Sequence, residues 1–319
     1  MSLSDHTMIR LPLAIIICAS LLALLAVTSP ARAQPAQPKP EESCGEIERN
    51  YELVKADAVS VQTNMALFAA ADRGCEALTN KLLDAGASLL ARDRRGAMPL
   101  AHAARAGQPK LVELYLAKGA PIDALNVDGG TALLAAAEAE KHSTVALLLA
   151  KGAHPSLTGR SGLTPLIAAA FKGNDRIVET LLAHGADAKM IDATGKAAIV
   201  YAASRGFDDI VRRLLNAGVD PRNRYTNDLT ALMWVAGHDE GVGASAVERV
   251  VDLLLAHGAA LDAADNRGRT ALMIASALGD ASTVAILMRH GANRALKDKD
   301  GKTALDLAAN ADVRAKLAK

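Results

Sequence analysis

Glycine-containing dipeptides recur along the chain at an almost constant interval, and this period constrains the fold more than any other feature of the sequence. The glycines of seven Gly-Ala or Gly-Val dipeptides are spaced 33, 33, 33, 33, 40 and 33 residues apart. In five of these units a second glycine lies twelve residues earlier. A fixed period of this length indicates stacked structural repeats rather than one globular core. The seven glycines are Gly86, Gly119, Gly152, Gly185, Gly218, Gly258 and Gly291.

One unit illustrates the local structure that each repeat predicts. Residues 164–170 (TPLIAAA) predict a first helix with proline in its opening turn, and Gly173 ends that helix. Residues 177–182 (IVETLL) carry apolar side chains at helical spacing, and Gly185 ends this second helix. Residues 192–195 (DATG) form a turn signal. Each unit is therefore helix, turn, helix and loop, and only stacking of neighbouring units buries its apolar face.

The composition agrees with a thin helical core. Only 3% of the 319 residues are aromatic although half are apolar, so Ala, Leu, Ile and Val must fill the interior. The chain carries 36 basic and 35 acidic residues. A nucleic-acid-binding domain normally shows a basic excess, so the charge balance argues against nucleic acid as a partner.

These residues resemble the ankyrin-repeat family, whose pattern is D-x-x-G-x-T-P-L-H-x-A-A-x-x-G followed by Leu-Leu-x-x-Gly-Ala. The resemblance implies an all-α solenoid with capping helices at both ends. The family's Thr-Pro-Leu survives at 164–166, but its following His is absent from every repeat, which puts the hydrogen bonding between successive loops in doubt. On this frame the repeats are 60–92, 93–125, 126–158, 159–191, 192–224, 225–264, 265–297 and a truncated 298–319.

The first residues resemble a secretion signal. An uncharged apolar run over residues 11–27 precedes Ala31-Arg32-Ala33, and we expect cleavage after Ala33. The alternative is an uncleaved membrane anchor, because seventeen apolar residues approach the length that spans a bilayer. Residues 34–43 are rich in proline and predict a disordered tether. The mature chain is therefore expected in the periplasm or outside the cell, or else anchored at the inner membrane.

Residues 44–59 predict an N-terminal capping helix beside the second helix of the first repeat. That position brings Cys44 close to Cys75, and an oxidising compartment permits a disulfide between them. Two free thiols are the alternative.

The sequence offers little sign of catalysis, of a cofactor or of a metal site. His184, His257 and His290 each precede the glycine that ends a second helix, where a cation complements the helix C-terminus. No metal-ligand spacing, nucleophile motif or phosphate loop occurs. The seven extra residues of the sixth repeat lie within 237–245 and contain His238, Asp239 and Glu240. They predict either a partner contact, an ion or small-ligand site, or a tolerated flexible insertion. Trp234, with Tyr201 and Ile274 at the same position of their repeats, is expected in the core.

The resemblance also implies where a partner binds, because the family uses the concave face of its first helices together with the loop tips. The equivalent positions of this chain are rich in arginine and include an aromatic residue that we expect to be exposed. An exposed aromatic side chain next to arginine is typical of an interface anchor. We therefore expect a non-catalytic scaffold that binds a protein partner through an acidic surface or segment across repeats two to five; solvated surface charge is the alternative. The expected contact residues are Arg73, Arg94, Arg95, Arg105, Glu138, Arg160, Phe171, Lys172, Arg205 and His238.

Overall fold

The computed structural model describes residues 40–55, 60–239 and 241–318, with side chains from residue 44 onward. The expected signal segment 1–33, residues 34–39 of the expected tether, residues 56–59 of the expected capping helix and Glu240 lie outside the described residues. The described residues form sixteen α-helices and one 3-10 turn at Thr226–Asp228. The α-helices are α1 Pro40–Val54, α2 Ser60–Arg73, α3 Glu76–Asp84, α4 Pro99–Ala106, α5 Pro109–Ala117, α6 Ala132–Glu138, α7 His142–Ala150, α8 Pro165–Lys172, α9 Asp175–Ala183, α10 Ala198–Ser204, α11 Asp208–Asn216, α12 Ala231–Ala236, α13 Ala244–Ala256, α14 Ala271–Leu278, α15 Ala281–Arg289 and α16 Ala311–Leu317.

Each repeat frame contains one helix pair, from α2 and α3 in the first to α14 and α15 in the seventh. Neighbouring first helices pack on one another, and so do neighbouring second helices. The exposed sides of α2, α4, α6, α8, α10, α12 and α14 are called the first-helix face below, and those of the second helices the second-helix face. Within the described chain the β-structure is a single isolated bridge between Ile191 and Ala197. The all-α solenoid expected from the repeat pattern is confirmed.

Threonine and glycine set the helix boundaries. The hydroxyls of Thr131 and Thr164 accept hydrogen bonds from the backbone N–H three residues later, both at 3.1 Å, and so satisfy a donor that the helix start leaves open. Gly173 ends α8 with φ of 77°, in the left-handed region that a residue with a Cβ rarely adopts. Paired alanines such as Ala169 and Ala170 are fully buried, because their small side chains let stacked first helices approach closely.

Backbone hydrogen bonds join the loop tips of successive repeats, although the histidine of the family pattern is absent. The Val127 N–H donates to the Arg95 carbonyl at 2.8 Å, and the Arg160 N–H donates to the Asp128 carbonyl at 2.8 Å. The same link recurs in the later tips, as from Lys299 N–H to the Arg267 carbonyl at 2.9 Å. The doubt raised by the missing histidine is thereby removed, because main-chain groups supply the tie between loops.

The N-terminal cap departs from its expected boundaries. Helix α1 begins at Pro40 and ends at Val54, so residues 40–43 are helical rather than part of a disordered tether. Proline is favoured in the first turn of a helix, because an N–H at that position has no partner within the helix in any case. Helix α1 packs against α2. Tyr51 is buried there with 7% exposure, and Glu48 forms an ion pair with Lys81 of α3.

Cys44 and Cys75 form a disulfide with their Cα atoms 5.6 Å apart. Cys75 is the residue preceding α3 and is 4% exposed, whereas Cys44 on α1 is half-buried. The bond therefore ties the capping helix to the start of the second helix of repeat one.

Candidate functional site

The expected contact residue Arg105 lies in a cluster of charges on the first-helix face of repeats one and two. The Arg105 guanidinium is 3.3 Å from a carboxylate oxygen of Asp72. The same carboxylate lies 3.1 Å from Nδ1 of His102, whose Nε2 is 3.1 Å from Asp93. Burial alone raises the pKa of Asp72, but hydrogen bonding to His102 and the charges of His102 and Arg105 outweigh it and hold that pKa below its usual value. Arg105 is therefore engaged within the chain rather than free for a partner.

Arg205 is also held by neighbours from other repeats. It donates a hydrogen bond to the Phe171 carbonyl at 3.0 Å, and its guanidinium carbon lies 4.1 Å from the centre of the Phe171 ring. Its Nε is 3.1 Å from a carboxylate oxygen of Asp239. The cation therefore covers one ring face and neutralises the acidic residue of the insertion.

Aromatic side chains continue from Phe171 along the first-helix face. The Phe171 and Tyr201 rings meet edge-on with centroids 5.6 Å apart. The Nζ of Lys196 lies 4.8 Å from the Trp234 ring and 5.5 Å from the Tyr201 ring. Tyr201 donates a hydrogen bond of 2.5 Å to Asp192, and burial followed by this hydrogen bond raises the Tyr201 pKa to about 12.

The expectation that Trp234, Tyr201 and Ile274 lie in the core is wrong. All three are partly exposed on the first-helix face and only pack against the core with one side. The position that they share lies at the edge of the buried side of each first helix. Several other repeats have a small alanine there, whereas these three have a large ring or a branched side chain.

The insertion of the sixth repeat is an ordered strap between repeats five and seven. Part of it adds a turn to the second helix, since α13 has 13 residues where α11 has 9. The Asp239 N–H donates to the Ser204 carbonyl at 2.9 Å, and His238 Nε2 lies 2.9 Å from a carboxylate oxygen of Asp280. Val242 packs over Gly206, where an added Cβ would lie 2.8 Å from its methyl carbon. These contacts argue against a flexible insertion.

Asp280 anchors the far end of the strap and also caps α15. Its carboxylate accepts hydrogen bonds from the backbone N–H groups of Ser282 and Thr283 at 3.0 and 3.1 Å. Burial raises the Asp280 pKa, but the hydrogen bonds from Ser282, Thr283 and His238 together lower it well below its usual value.

The other expected contact residues remain on the surface. Arg73, Arg94, Arg95, Arg160 and Lys172 are exposed, and none of them forms an ion pair with a described acidic residue. Phe171 is 36% exposed. Glu138 lies near Lys172, and withdrawal from water raises its pKa while the charge of Lys172 partly offsets that effect. Sequence reasoning thus located the exposed cations but missed the internal partners of Arg105, Arg205 and His238, which come from other repeats.

The described residues hold no group of three or more His, Cys, Asp or Glu side chains that can bind a metal ion. His184 and His257 cap their helices, since Nδ1 of each lies 2.8 Å from the carbonyl four residues earlier. In the described part of the chain, no helix combines the length and the apolar character that crossing a membrane requires.

Comparison with known proteins finds a family and a solved structure with this architecture. A family model described as ankyrin repeats matches residues 67–159, 100–192, 142–225, 166–244 and 242–318 in overlapping windows. The crystal structure of the human ASB11 ankyrin repeat domain superposes with a TM-score of 0.61 and 26% sequence identity. That match covers 70% of this chain and 97% of the human domain. No curated protein matches the chain.

Proposed function

Because the chain belongs to the ankyrin-repeat family, whose members are generally scaffolds for protein–protein interaction, we propose that it is a non-catalytic scaffold that binds a partner protein in the periplasm. The binding surface in this proposal is the first-helix face with its loop tips, and the partner presents an acidic surface or segment. It needs no cofactor and no nucleic acid.

One observation carries this proposal. Five basic side chains of the first-helix face and its tips (Arg73, Arg94, Arg95, Arg160 and Lys172) are exposed and make no ion pair with a described acidic residue. On the second-helix face other cations are paired within the chain, because Arg213 lies 2.5 Å from Asp175 and Arg289 lies 2.8 Å from Glu248, although Lys118, Lys151 and Arg176 on that side are unpaired among the described residues as well. Cations that stay unpaired on one face leave a field that attracts an acidic partner.

Two observations support secretion. The apolar run over residues 11–27 followed by Ala31-Arg32-Ala33 is typical of a signal peptide, and the Cys44–Cys75 disulfide suits an oxidising compartment. The second candidate is an inner-membrane adaptor that keeps residues 1–33. N-terminal sequencing separates the two, because a chain beginning at Gln34 supports secretion and an intact segment in the membrane fraction supports the anchor.

The third candidate is ion or small-ligand binding at the repeat-six insertion. In the structure His238 and Asp239 are already engaged by Asp280 and Arg205. The strap contacts therefore favour a structural role for these two side chains.

Affinity purification from the protein's own compartment tests the scaffold. The tagged chain is compared with a variant that reverses the tip charges (Arg94→Glu, Arg95→Glu and Arg160→Glu). We expect a protein that the unaltered chain retains and this variant loses. Arg105 and Arg205 are unsuitable for charge reversal, because a glutamate there would face Asp72 or Asp239 within the fold.

The matched control makes the same change of charge on the second-helix side of the molecule. Lys118, Lys151 and Arg176 are exposed and unpaired among the described residues, so Lys118→Glu, Lys151→Glu and Arg176→Glu should leave retention intact. Equal retention by the tip variant, or equal loss from both variants, would contradict the proposed surface.

A further inference from the structure

Large apolar side chains occupy one position of the first helices in the C-terminal half of the array only. In the first four repeats this position holds Ala69, His102, Ala135 and Ala168. In repeats five to seven it holds Tyr201, Trp234 and Ile274, and the equivalent residue of repeat eight is Leu307, which lies in a turn; each of these side chains is partly exposed. At this position the side chains are therefore small or polar in the N-terminal repeats and large and apolar in the C-terminal repeats, although Val61 and Met65 of α2 are also exposed.

Tyr201, Trp234 and Ile274, together with Leu278 further along α14, are called the apolar stripe below. Lys196 bridges the first two rings. Gly237 has no side chain to cover Ile274 and Leu278. A Cβ at that position would lie 3.7 Å from Ile274 Cγ2 and 3.8 Å from Leu278 Cδ1. Leu278 is 58% exposed.

The strap between repeats five and seven holds the stripe in place. Its His238 contacts Asp280 at the start of α15, and its Asp239 contacts Arg205 at the end of α10. The helices that carry the stripe are thus fixed relative to one another before any partner arrives. A preformed surface loses less conformational entropy on binding than one that must order.

The charge at the edge of the stripe identifies the kind of occupant. The Lys196 ammonium group faces two aromatic rings and has no carboxylate partner among the described residues. A cation over ring faces at the border of an apolar surface is suited to a carboxylate that arrives next to a large apolar side chain. A wholly apolar segment would leave this cation without a counter-ion.

Resting on the proposed scaffold function, we propose that the apolar stripe binds a short segment of the partner protein in which a large apolar side chain lies beside an Asp or Glu. The apolar side chain packs on Ile274 and Leu278 beside Gly237. The carboxylate pairs with Lys196. The tip arginines then attract the partner over a longer range, while the stripe supplies the buried anchor of the interface.

The single tryptophan of the chain makes this testable in solution, because Trp234 lies in the stripe and its fluorescence reports what covers it. The probe is a displayed library of random dodecapeptides without tryptophan, selected on the full chain. We expect the enriched peptides to pair an apolar residue with Asp or Glu and to shift the Trp234 emission on titration. Enriched peptides that lack a carboxylate, or no enrichment at all, would overturn the proposal.

Two matched pairs of variants then locate the peptide. Lys196→Met and Leu278→Ala should each weaken binding by about fivefold or more. Lys118→Met and Leu90→Ala should change it by less than about twofold, because Lys118 is exposed just after the end of α5 and Leu90, which is 60% exposed, lies in a loop of repeat one.

Replacing the peptide's carboxylate by its amide should weaken binding to the unaltered chain as much as Lys196→Met does. The same replacement should not weaken binding further when the chain already carries Lys196→Met. Peptides that bind equally well to both stripe variants would refute the stripe. If such peptides still lose binding when Arg94, Arg95 and Arg160 are reversed, the scaffold function stands and the stripe alone fails.

Discussion

Reduction of the Cys44–Cys75 disulfide should loosen the first repeat and leave the later repeats unchanged. The bond joins residues 31 positions apart. For a loop of that size the loss of chain entropy in the unfolded state corresponds to about 3.7 kcal/mol at 25 °C. Helix α1 packs against α2, and a solenoid transmits stability mainly between neighbouring repeats, so the effect should be confined to this end.

Amide hydrogen exchange measures this effect locally. At about 1.4 kcal/mol per factor of ten, the full entropic contribution corresponds to a fall of roughly 500-fold in the protection of α1 and α2. The full chain is compared before and after treatment with a dithiol reductant. A Cys44→Ser variant, in which the substituted position is half-buried, should match the reduced chain without any reductant.

Two results would refute this reasoning. A loss of protection below about tenfold in α1 and α2 would mean that packing of Tyr51, rather than the disulfide, holds the cap. An equal loss in α14 and α15 would mean that the array unfolds as one unit, and the nearest-neighbour argument would fail.

Three further predictions follow from buried or crowded groups. The Tyr115 hydroxyl is buried beside the Thr79 hydroxyl without a well-formed hydrogen bond in the described structure, so Tyr115→Phe should leave the free energy of unfolding in urea unchanged or raise it by about 1 kcal/mol, and a clear loss would contradict this. Gly159→Ala should cost about 1–3 kcal/mol in the same assay, because the new Cβ collides with the Asp128 carbonyl that ties two loop tips, and an unchanged midpoint would contradict it. Asp280→Asn keeps a capping oxygen but loses the charge beside His238, so stability at pH 7 should fall by about 1 kcal/mol. Because the pKa of Asp280 is lowered in the folded chain, its contribution to stability is present above the usual Asp pKa and is lost as the pH falls below about 4. The free energy of unfolding of Asp280→Asn should therefore fall less steeply on acidification than that of the unaltered chain. Equally steep falls in both chains would contradict this.

A glycine substitution with the opposite expected sign controls the Gly159 experiment. Gly45 lies inside α1, and an added Cβ there meets only the flexible end of the Arg49 side chain, at 3.5 Å. Gly45→Ala should therefore stabilise the helix by about 0.5–1 kcal/mol, since alanine loses less backbone freedom than glycine on folding.

Much of the fold was predictable from the sequence because its determinants are local. The glycines that end most of the paired helices and the threonines that cap α6, α8, α12 and α14 act within a few residues of their own position, and their 33-residue period gives the stacking order directly. The N-terminal cap was less predictable. Helix α1 begins at Pro40, inside a proline-rich stretch whose composition favoured a tether.

The binding surface was predictable only in outline. Their position within the repeat places Arg105 and Arg205 on the first-helix face. The structure shows that both also contact acidic side chains of other repeats, Asp72 and Asp239 respectively. The same register argument placed Trp234 in the core, whereas it lies partly exposed in the apolar stripe.

Sequence by itself thus determined the repeat, the helix pairs and the set of charges that each first helix can present. Tertiary structure alone decided which of those charges are already paired and which apolar side chains stay uncovered. The physical reason is that helix caps and turns depend on neighbours in the chain. Side-chain contacts such as His238–Asp280, 42 residues apart, depend on how successive repeats stack.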